Sequence, residues 1–168
     1  LGPLLGVAPE AVPLVRDEAG RPRLAEFASG CDAGWSHSGG GMVIVFARDL
    51  VLGVDLEWMR PRPNAVALAR RFFAPNEADW LEALPEPARE RAFLRLWCAK
   101  EALLKAHGRG LAFGLARLAF EERGGALVLA TCDERLGAPG DWRLHEWSPR
   151  PGYRAALAWR DVVPGETR

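Results

Sequence analysis

The chain has little of several features that mark common classes of protein. Its 168 residues include only three cysteines, and their wide spacing forms neither a disulfide framework nor a zinc-binding pattern. No apolar run approaches the roughly 20 residues that a membrane-spanning helix needs, and nothing resembles a signal peptide. We therefore expect no membrane association and a cytoplasmic protein. The formal net charge is zero, which argues against nucleic-acid binding, because such proteins usually carry a basic excess.

Lysine is also scarce. Only two of the 22 basic residues are lysines, and both stand in the segment WCAKEALLK, as Lys100 and Lys105 on either side of Glu101. The bias toward alanine, leucine and arginine suggests a GC-rich coding sequence, which favours arginine over lysine. The presence of both lysines in this one segment, despite that bias, suggests that the segment has a function.

The first half of the chain is predicted to contain strands. The apolar run MVIVFA (42–47), which follows a glycine cluster, predicts a strand buried on both faces. A second strand ends near Glu57. The pair Arg48-Asp49 between the two runs predicts a tight reversal, and therefore a hairpin formed by these strands.

Helices are predicted from residue 61 onward. Apolar residues at helical spacing predict helices over 65–73 and from 75 through 84, with the longest over 88–107. Gly108 and Gly110 end the longest helix. Short strands follow, over 116–121, 125–131, 142–147 and 153–160.

A faint internal repeat indicates two similar halves. SHSGGGMVIVFARD (36–49) and SPRPGYRAALAWRD (148–161) align without gaps and share four identities in fourteen positions. A long helix precedes the strands of the second half, whereas no such helix precedes those of the first. Because the chain also starts at Leu1, we expect that an N-terminal piece is missing.

Two carboxylates on one strand suggest a metal site. Asp55 and Glu57 stand at alternate positions of the predicted strand and so share a face. Two like charges this close need a cation, and all-oxygen ligation suits magnesium. Glu101 could be a third ligand. The alternative for the strand pair is a set of solvated charges at a sheet edge.

The helix around Glu101 carries a second cluster. Trp97, Glu101 and Lys105 occupy positions i, i+4 and i+8, on one face. A surface Glu–Lys pair, worth about 0.3–0.5 kcal/mol, is the simple alternative. Trp97 and Leu104 on or beside the face indicate instead that the protein partly covers it.

Two further segments carry groups that suit an anion. In Trp35–Ser38, WSHS, a histidine is flanked by hydroxyls and glycines, although a structural or surface histidine remains the alternative. A serine hydrolase would need the G-x-S-x-G pattern, which is missing here. Arg21 places one cation on a rigid turn. The simpler interpretation is that the segment only reverses the chain. Three carboxylates together with lysine, histidine and arginine indicate phosphoryl-type transfer.

These motifs resemble those of the 4′-phosphopantetheinyl transferases. GVDLE (53–57) and WCAKEALLKAHGRGL (97–111) are similar to that family's G-[IV]-D-x-E strand and W/F-x-x-K-E-[AS]-x-x-K helix. GRPRL (20–24), WSHS (35–38) and RRFFAPNEADWL (70–81) resemble its other segments. The position of WSHS before the helix matches the larger, monomeric surfactin-synthetase-activating (Sfp) type.

The resemblance implies an α+β fold with two pseudo-symmetric halves, each a small antiparallel sheet packed with a long helix. Residues 1–53 would form the incomplete N-terminal half and residues 54–168 the C-terminal half. The implied reaction transfers the 4′-phosphopantetheine arm of coenzyme A to a serine of an acyl or peptidyl carrier protein and releases 3′,5′-adenosine bisphosphate.

The resemblance also implies roles for single residues. Asp55, Glu57 and Glu101 would hold Mg²⁺, and Glu101 would be the catalytic base, directly or through a water. Lys105 would be catalytic and would bind the phosphates of coenzyme A. The other residues implied in coenzyme A binding are Ser36, His37 and Lys100 at the phosphates and Arg21 and Pro22 at the nucleotide end.

Two other functions stay open. One is a non-catalytic module that holds coenzyme A or a carrier protein, and the other is a magnesium-dependent phosphohydrolase. Phe72, Phe73 and residues 85–95 are candidates for the surface that meets the carrier, with ordinary core and solvated helix as the alternative. The carrier protein and its pathway are not indicated by any motif.

Overall fold

The computed structural model describes residues 1–16, 22–25 and 30–162. Four α-helices and nine strands lie in these ranges. The helices are α1 (Gly2–Leu5), α2 (Ala65–Phe72), α3 (Pro75–Ala83) and α4 (Ala88–His107). The strands are β1 (Leu14–Arg16), β2 (Pro22–Leu24), β3 (Cys31–Ser38), β4 (Gly41–Arg48), β5 (Leu50–Trp58), β6 (Leu118–Arg123), β7 (Ala126–Cys132), β8 (Arg143–Trp147) and β9 (Tyr153–Asp161).

The long helix α4 has the bounds that the sequence predicts. Its residues are mostly alanine, leucine, arginine, lysine and glutamate, which have high helix propensity. Gly108 ends the helix in the left-handed region, with φ 93°, and its N–H donates to the carbonyl oxygen of Leu104. Leu96, Leu103 and Leu104 of α4 are buried in the main core.

The helix packs on an antiparallel sheet with the strand order β5-β9-β8. β5 pairs with β9 along its whole length, from Leu50 opposite Asp161 to Trp58 opposite Tyr153. A glycine lets α4 approach this sheet closely, because a Cβ on Gly53 would lie 2.3 Å from both the carbonyl oxygen of Ala102 and the nitrogen of Ala106. The glycine of GVDLE therefore fixes the distance between the strand and the helix.

The predicted hairpin of residues 42–57 is wrong. β4 pairs in antiparallel fashion with β3, a strand that the sequence pattern did not predict, and β5 pairs with β9. Asp49, with φ 58°, carries the chain from one sheet to the other. Nor is β4 buried on both faces, since Met42 and Ile44 are 64% and 53% exposed. Alternate side chains of this apolar run therefore face solvent on one side of the β3–β4 ribbon.

The remaining predicted elements are confirmed, with ends that shift by one or two residues. α2 and α3 occupy the predicted helices, and β6 to β9 occupy the four predicted short strands. β6 and β7 form their own antiparallel ribbon, which contributes Leu118, Phe120, Leu127 and Leu129 to the main core. Phe73, Phe93 and Trp97 join the short helices to α4, with the two phenylalanine rings stacked at 5.3 Å.

The predicted α+β class is confirmed by these small antiparallel sheets and their helices. Of the two repeat segments, residues 36–49 contain the end of β3 and all of β4, whereas residues 148–161 contain β9 but no part of β8. The division into halves at residue 53 stays a prediction, and β5 runs across that position. Within the described residues, no helix is long and apolar enough to cross a membrane.

Candidate active site

One cavity of about 380 Å³ collects most of the predicted site residues. It opens where β3, β5 and α4 meet. Trp35 and Trp97 form part of its wall. Six residues singled out from the sequence also line it: Ser36, His37, Asp55, Glu57, Glu101 and Lys105.

The local structure explains why these side chains meet. Asp55 and Glu57 are alternate residues of β5 and point to the same side of the strand. Glu101 and Lys105 are one turn apart on α4 and share a face of the helix. The close contact at Gly53 brings this helix face next to the carboxylates.

Asp55 lies at the centre of a tight polar cluster. Its carboxylate is only 5% exposed. Oδ1 accepts hydrogen bonds from Ser36 Oγ at 3.0 Å and from Lys105 Nζ at 2.6 Å, and Lys105 Nζ also donates to Ser36 Oγ at 3.1 Å. Oδ2 is buried and accepts no hydrogen bond from the described residues. One oxygen of Asp55 is therefore neutralised, and the other is left without a donor.

Glu57 forms an ion pair with Arg62, a residue that no sequence motif indicated. Its Oε2 lies 2.9 Å from Nη2 of Arg62, which follows β5 in the segment MRPRP. Burial and then the charge of Asp55 raise the pKa of Glu57, whereas the charges of Arg62 and Lys105 lower it. The only sequence signal for Arg62 is its place between two prolines shortly after the strand.

Of the three cavity carboxylates, Glu101 is the one whose negative charge is balanced least by neighbouring cations. It is 7% exposed, and no ion-pair partner lies within reach among the residues that the structure describes. Burial and, after it, the charge of Asp55 raise the pKa of Glu101 to about 7, while the charge of Lys105 acts in the opposite direction. A carboxyl group that titrates near neutral pH is suited to accept a proton in general base catalysis.

A buried thiol lies behind the carboxylates. Cys98 of α4 donates a hydrogen bond to the carbonyl oxygen of Arg154, with 3.8 Å between Sγ and the oxygen. Burial, Asp55 and Glu57 raise the pKa of the Cys98 thiol well above its ordinary value. It is therefore a neutral thiol and adds no charge to the site.

The donor set fits Mg²⁺, although the carboxylates are not drawn together around a common point. Three carboxylates facing one cavity supply the oxygen ligands that this ion takes. A cation would compensate the buried Oδ2 of Asp55, and it would also offset the burial and the repulsion by Asp55 that raise the pKa values of Glu57 and Glu101. Even so, no three His, Cys, Asp or Glu side chains of the described residues form a ready ligand cluster.

Lys100 does not reach the cavity. Its side chain is fully buried, with Nζ 2.6 Å from Oε2 of Glu77 in α3. Nζ also donates to the carbonyl oxygens of Leu115, at 2.9 Å, and Leu118. Burial lowers the pKa of Lys100, and Glu77 opposes that change. The structure contradicts the expectation that Lys100 assists at the phosphates, because its ammonium is already enclosed.

The other predicted residues are less engaged. His37 is exposed at the edge of the cavity, on β3. Pro22 lies in the β1–β2 ribbon, opposite Arg16, and Arg21 falls outside the described residues. Their expected place at the nucleotide end therefore stays a prediction.

The candidate carrier-binding phenylalanines differ from each other. Phe73 is 4% exposed and belongs to the core. Phe72 is 38% exposed, and the Arg71 guanidinium lies over its ring at 5.0 Å. Only Phe72 of this pair can meet a partner.

Comparison with known proteins identifies related sequences and folds. The model of the 4′-phosphopantetheinyl transferase superfamily matches residues 51–158. The 4′-phosphopantetheinyl transferase HetI of Nostoc sp. is 40% identical over 160 residues, which are 94% of this chain and 65% of HetI. The 4′-phosphopantetheinyl transferase psf-1 of Bacillus pumilus is 37% identical over 135 residues, 78% of this chain and 54% of psf-1.

Two solved structures share the fold. The holo-[acyl-carrier-protein] synthase of Thermotoga maritima has a TM-score of 0.52 at 21% identity, covering 68% of this chain and 65% of the synthase. A holo-(acyl-carrier-protein) synthase of Bacillus anthracis, in complex with CoA (3′,5′-ADP), has a TM-score of 0.50 at 17% identity, covering 68% of this chain and 98% of the synthase.

The matched regions include the cavity but not whole relatives. The chain spans between about half and two thirds of the length of the curated relatives that it matches. The range 51–158 contains Asp55, Glu57, Glu101 and Lys105. Because that range is more than half of the chain, the chain belongs to the 4′-phosphopantetheinyl transferase superfamily.

Proposed function

We propose that this chain carries the site for transfer of the 4′-phosphopantetheine arm of coenzyme A to a serine of an acyl or peptidyl carrier protein. The observation that carries the proposal is the single cavity in which Lys105 contacts Asp55 while Glu57 and Glu101 face the same space. The names of the relatives support the reaction, and the complex of the Bacillus anthracis synthase with CoA (3′,5′-ADP) supports the co-substrate.

The cavity offers charges of both signs to a diphosphate. Lys105 keeps a third of its side chain exposed, so its ammonium can pair with a phosphate oxygen while it remains beside Asp55. His37 lies exposed at the edge and can donate a further hydrogen bond. Ser36 holds both Lys105 and Asp55, so it orients the cation. Arg21 and Pro22 would contact the nucleotide end of coenzyme A.

Asp55, Glu57 and Glu101 would hold Mg²⁺. The ion would supply neutralisation of the negative charge on the diphosphate, which phosphoryl transfer requires. The unpartnered Oδ2 of Asp55 and the raised pKa of Glu101 support this assignment.

Glu101 is the proposed base. Its carboxylate faces the cavity and can accept a proton from the carrier serine, directly or through a water. The serine oxygen then forms a bond to the β-phosphorus of coenzyme A. The bond from that phosphorus to the bridging oxygen breaks, and 3′,5′-adenosine bisphosphate leaves with the electron pair. Lys105 stabilises the charge on the phosphate oxygens.

The proposal extends to the type of enzyme. WSHS, which precedes the K-E helix, and the match to psf-1 support the larger Sfp type. A monomer acting in the cytoplasm is part of this proposal. The alternative is a non-catalytic module that holds coenzyme A or a carrier protein without transferring the arm.

Intact-mass spectrometry of a carrier protein tests the proposal. The chain is mixed with an apo carrier protein, coenzyme A and Mg²⁺, with EDTA in one control and a serine-to-alanine carrier in another. We expect the carrier to gain the mass of one phosphopantetheine arm only in the complete mixture. Binding of coenzyme A without any gain of mass, on several acyl and peptidyl carriers, would favour the non-catalytic module.

A further inference from the structure

Two of the three carboxylates of the cavity are paired with cations that belong to the protein. Asp55 contacts Lys105, and Glu57 contacts Arg62. The three carboxylates line one cavity, although the described residues contain no ready metal-ligand cluster. A divalent cation that takes all three carboxylates must compete with the two internal cations.

Arg62 is well placed to be such a competitor. The Arg62 and Glu57 side chains are only 20% and 19% exposed, so their attraction is weakly screened by solvent. The described structure gives the Arg62 side chain one hydrogen bond, the one to Glu57, and leaves its buried Nε without an acceptor in the described ranges.

The backbone of Arg62 is anchored independently of its side chain. Its N–H donates to Oε1 of Glu90 in α4 at 3.0 Å. Pro61 and Pro63 flank it and restrict the local backbone. The side chain can therefore leave Glu57 without moving the segment that carries it.

We propose that Arg62 is a built-in counter-cation that occupies Glu57 in the metal-free protein and is displaced when a divalent cation binds. This inference rests on the proposed function, which needs the cation. Binding of the cation must break the Arg62–Glu57 contact. The affinity of the cavity for the cation is therefore lower than it would be without Arg62. The released guanidinium stays at the cavity, where its planar donors suit a phosphate oxygen.

Arg60 provides a matched control. It is exposed, it stands two residues from Arg62, and its charge acts on Glu57 more weakly than that of Arg62. Arg62→Met and Arg60→Met remove the same charge from the same segment. Only the first removes the contact with Glu57.

The test measures Mn²⁺ binding by electron paramagnetic resonance, which counts free and bound ions without any transfer reaction. We expect Arg62→Met to lower the dissociation constant about fivefold, equivalent to about 1 kcal/mol, and Arg60→Met to lower it less than twofold. Arg62→Lys, which keeps a cation at this position, should stay close to the wild type. Pyrophosphate should tighten Mn²⁺ binding more in the wild type than in Arg62→Met, because the released guanidinium can then pair with the anion.

The outcomes separate this inference from the proposed function. Equal dissociation constants for the two methionine variants, or weaker binding by Arg62→Met in a protein with wild-type thermal unfolding, would overturn the exchange. If the wild type modifies its carrier under those same results, the transferase proposal survives and only the role of Arg62 is lost. A wild type that neither binds Mn²⁺ nor modifies a carrier contradicts both.

Discussion

Lys105 Nζ lies 2.6 Å from Asp55 Oδ1, and Ser36 Oγ lies within hydrogen-bond distance of both atoms. This triangle joins the last turns of α4 to β5 and β3. One corner of this triangle is the compact ammonium of Lys105, which has room for one more hydrogen-bond partner on the cavity side. The arrangement gives a physical reason for keeping a lysine at this position in a chain that otherwise uses arginine.

Replacing Lys105 by arginine should slow transfer by about tenfold or more. The planar guanidinium keeps the charge, but it cannot occupy the space between Asp55 and Ser36 with the same geometry. The rate of carrier modification measures the effect. Arg123→Lys, at an exposed position, makes the reverse exchange and should change the rate less than twofold. Equal rates for the wild type and Lys105→Arg would refute the geometric role of the ammonium.

The metal-free protein should lose stability as the pH rises through the range in which Glu101 titrates. The folded pKa is raised from 4.5 to about 7, mainly by burial and then by Asp55. The folded state therefore holds the proton more tightly than the unfolded chain. The stabilising contribution is fully present below about pH 4.5 and is lost by the time the pH has passed 7. We expect a loss of about 2 kcal/mol, reduced from the full shift because the carboxyl faces an open cavity.

Urea unfolding in EDTA between pH 5 and 8 measures this loss. Glu101→Gln does not titrate, so its free energy of unfolding should fall less over the same range. Glu134→Gln, an exposed control, should follow the wild type. Parallel curves for the wild type and Glu101→Gln would show that the pKa of Glu101 is not raised.

Lys100→Met should lower the free energy of unfolding of the protein rather than weaken its binding of coenzyme A. The substitution leaves the Glu77 carboxylate buried without its cation, which costs about 3–5 kcal/mol. The double variant Lys100→Met with Glu77→Gln should recover part of this loss. The amide removes the charge, and its oxygen can still accept from the backbone N–H of Phe120. Urea unfolding measures both variants.

The opposite result would support a role for Lys100 at the phosphates of coenzyme A. Wild-type stability of Lys100→Met, combined with weaker binding of coenzyme A, would mean that the lysine leaves Glu77 to meet the ligand.

Gly53→Ala should destabilise the fold by about 3 kcal/mol. The new methyl group would overlap the backbone of α4 at Ala102 and Ala106, so the helix would have to move away from β5. Transfer should fall as well, because Lys105 and Glu101 would move away from Asp55. Gly140→Ala is the matched control, since a Cβ there meets nothing within 4 Å. An unchanged urea midpoint for Gly53→Ala would contradict the close approach.

The sequence predicts the parts of the fold that local signals determine. α4 has a continuous apolar pattern and a glycine at its end, so both its bounds are correct. The shared face of Asp55 and Glu57 follows from strand geometry alone. The gathering of Ser36 with Asp55 and Lys105 agrees with the motifs that the sequence analysis selected.

The errors concern partners that are distant along the chain. β3 contains serine, glycine and histidine, which do not indicate a strand by themselves, and it becomes one by pairing with β4. Lys100 and Glu101 are neighbours that leave the helix in different directions, and Glu77, the partner of Lys100, is in another helix. Arg62 reaches Glu57 only because the chain turns after β5, and no periodic pattern records that turn.

The transfer rate of Asp55→Asn tests most directly whether this cavity is the site of reaction. The variant keeps the size of the side chain but loses the charge that Lys105 and a cation would share. Intact-mass spectrometry of the carrier over time gives the rate, and Asp79→Asn, at a surface ion pair, serves as control. We expect Asp55→Asn to be slower by about 100-fold or more while Asp79→Asn matches the wild type. Wild-type transfer by a folded Asp55→Asn variant would contradict the account.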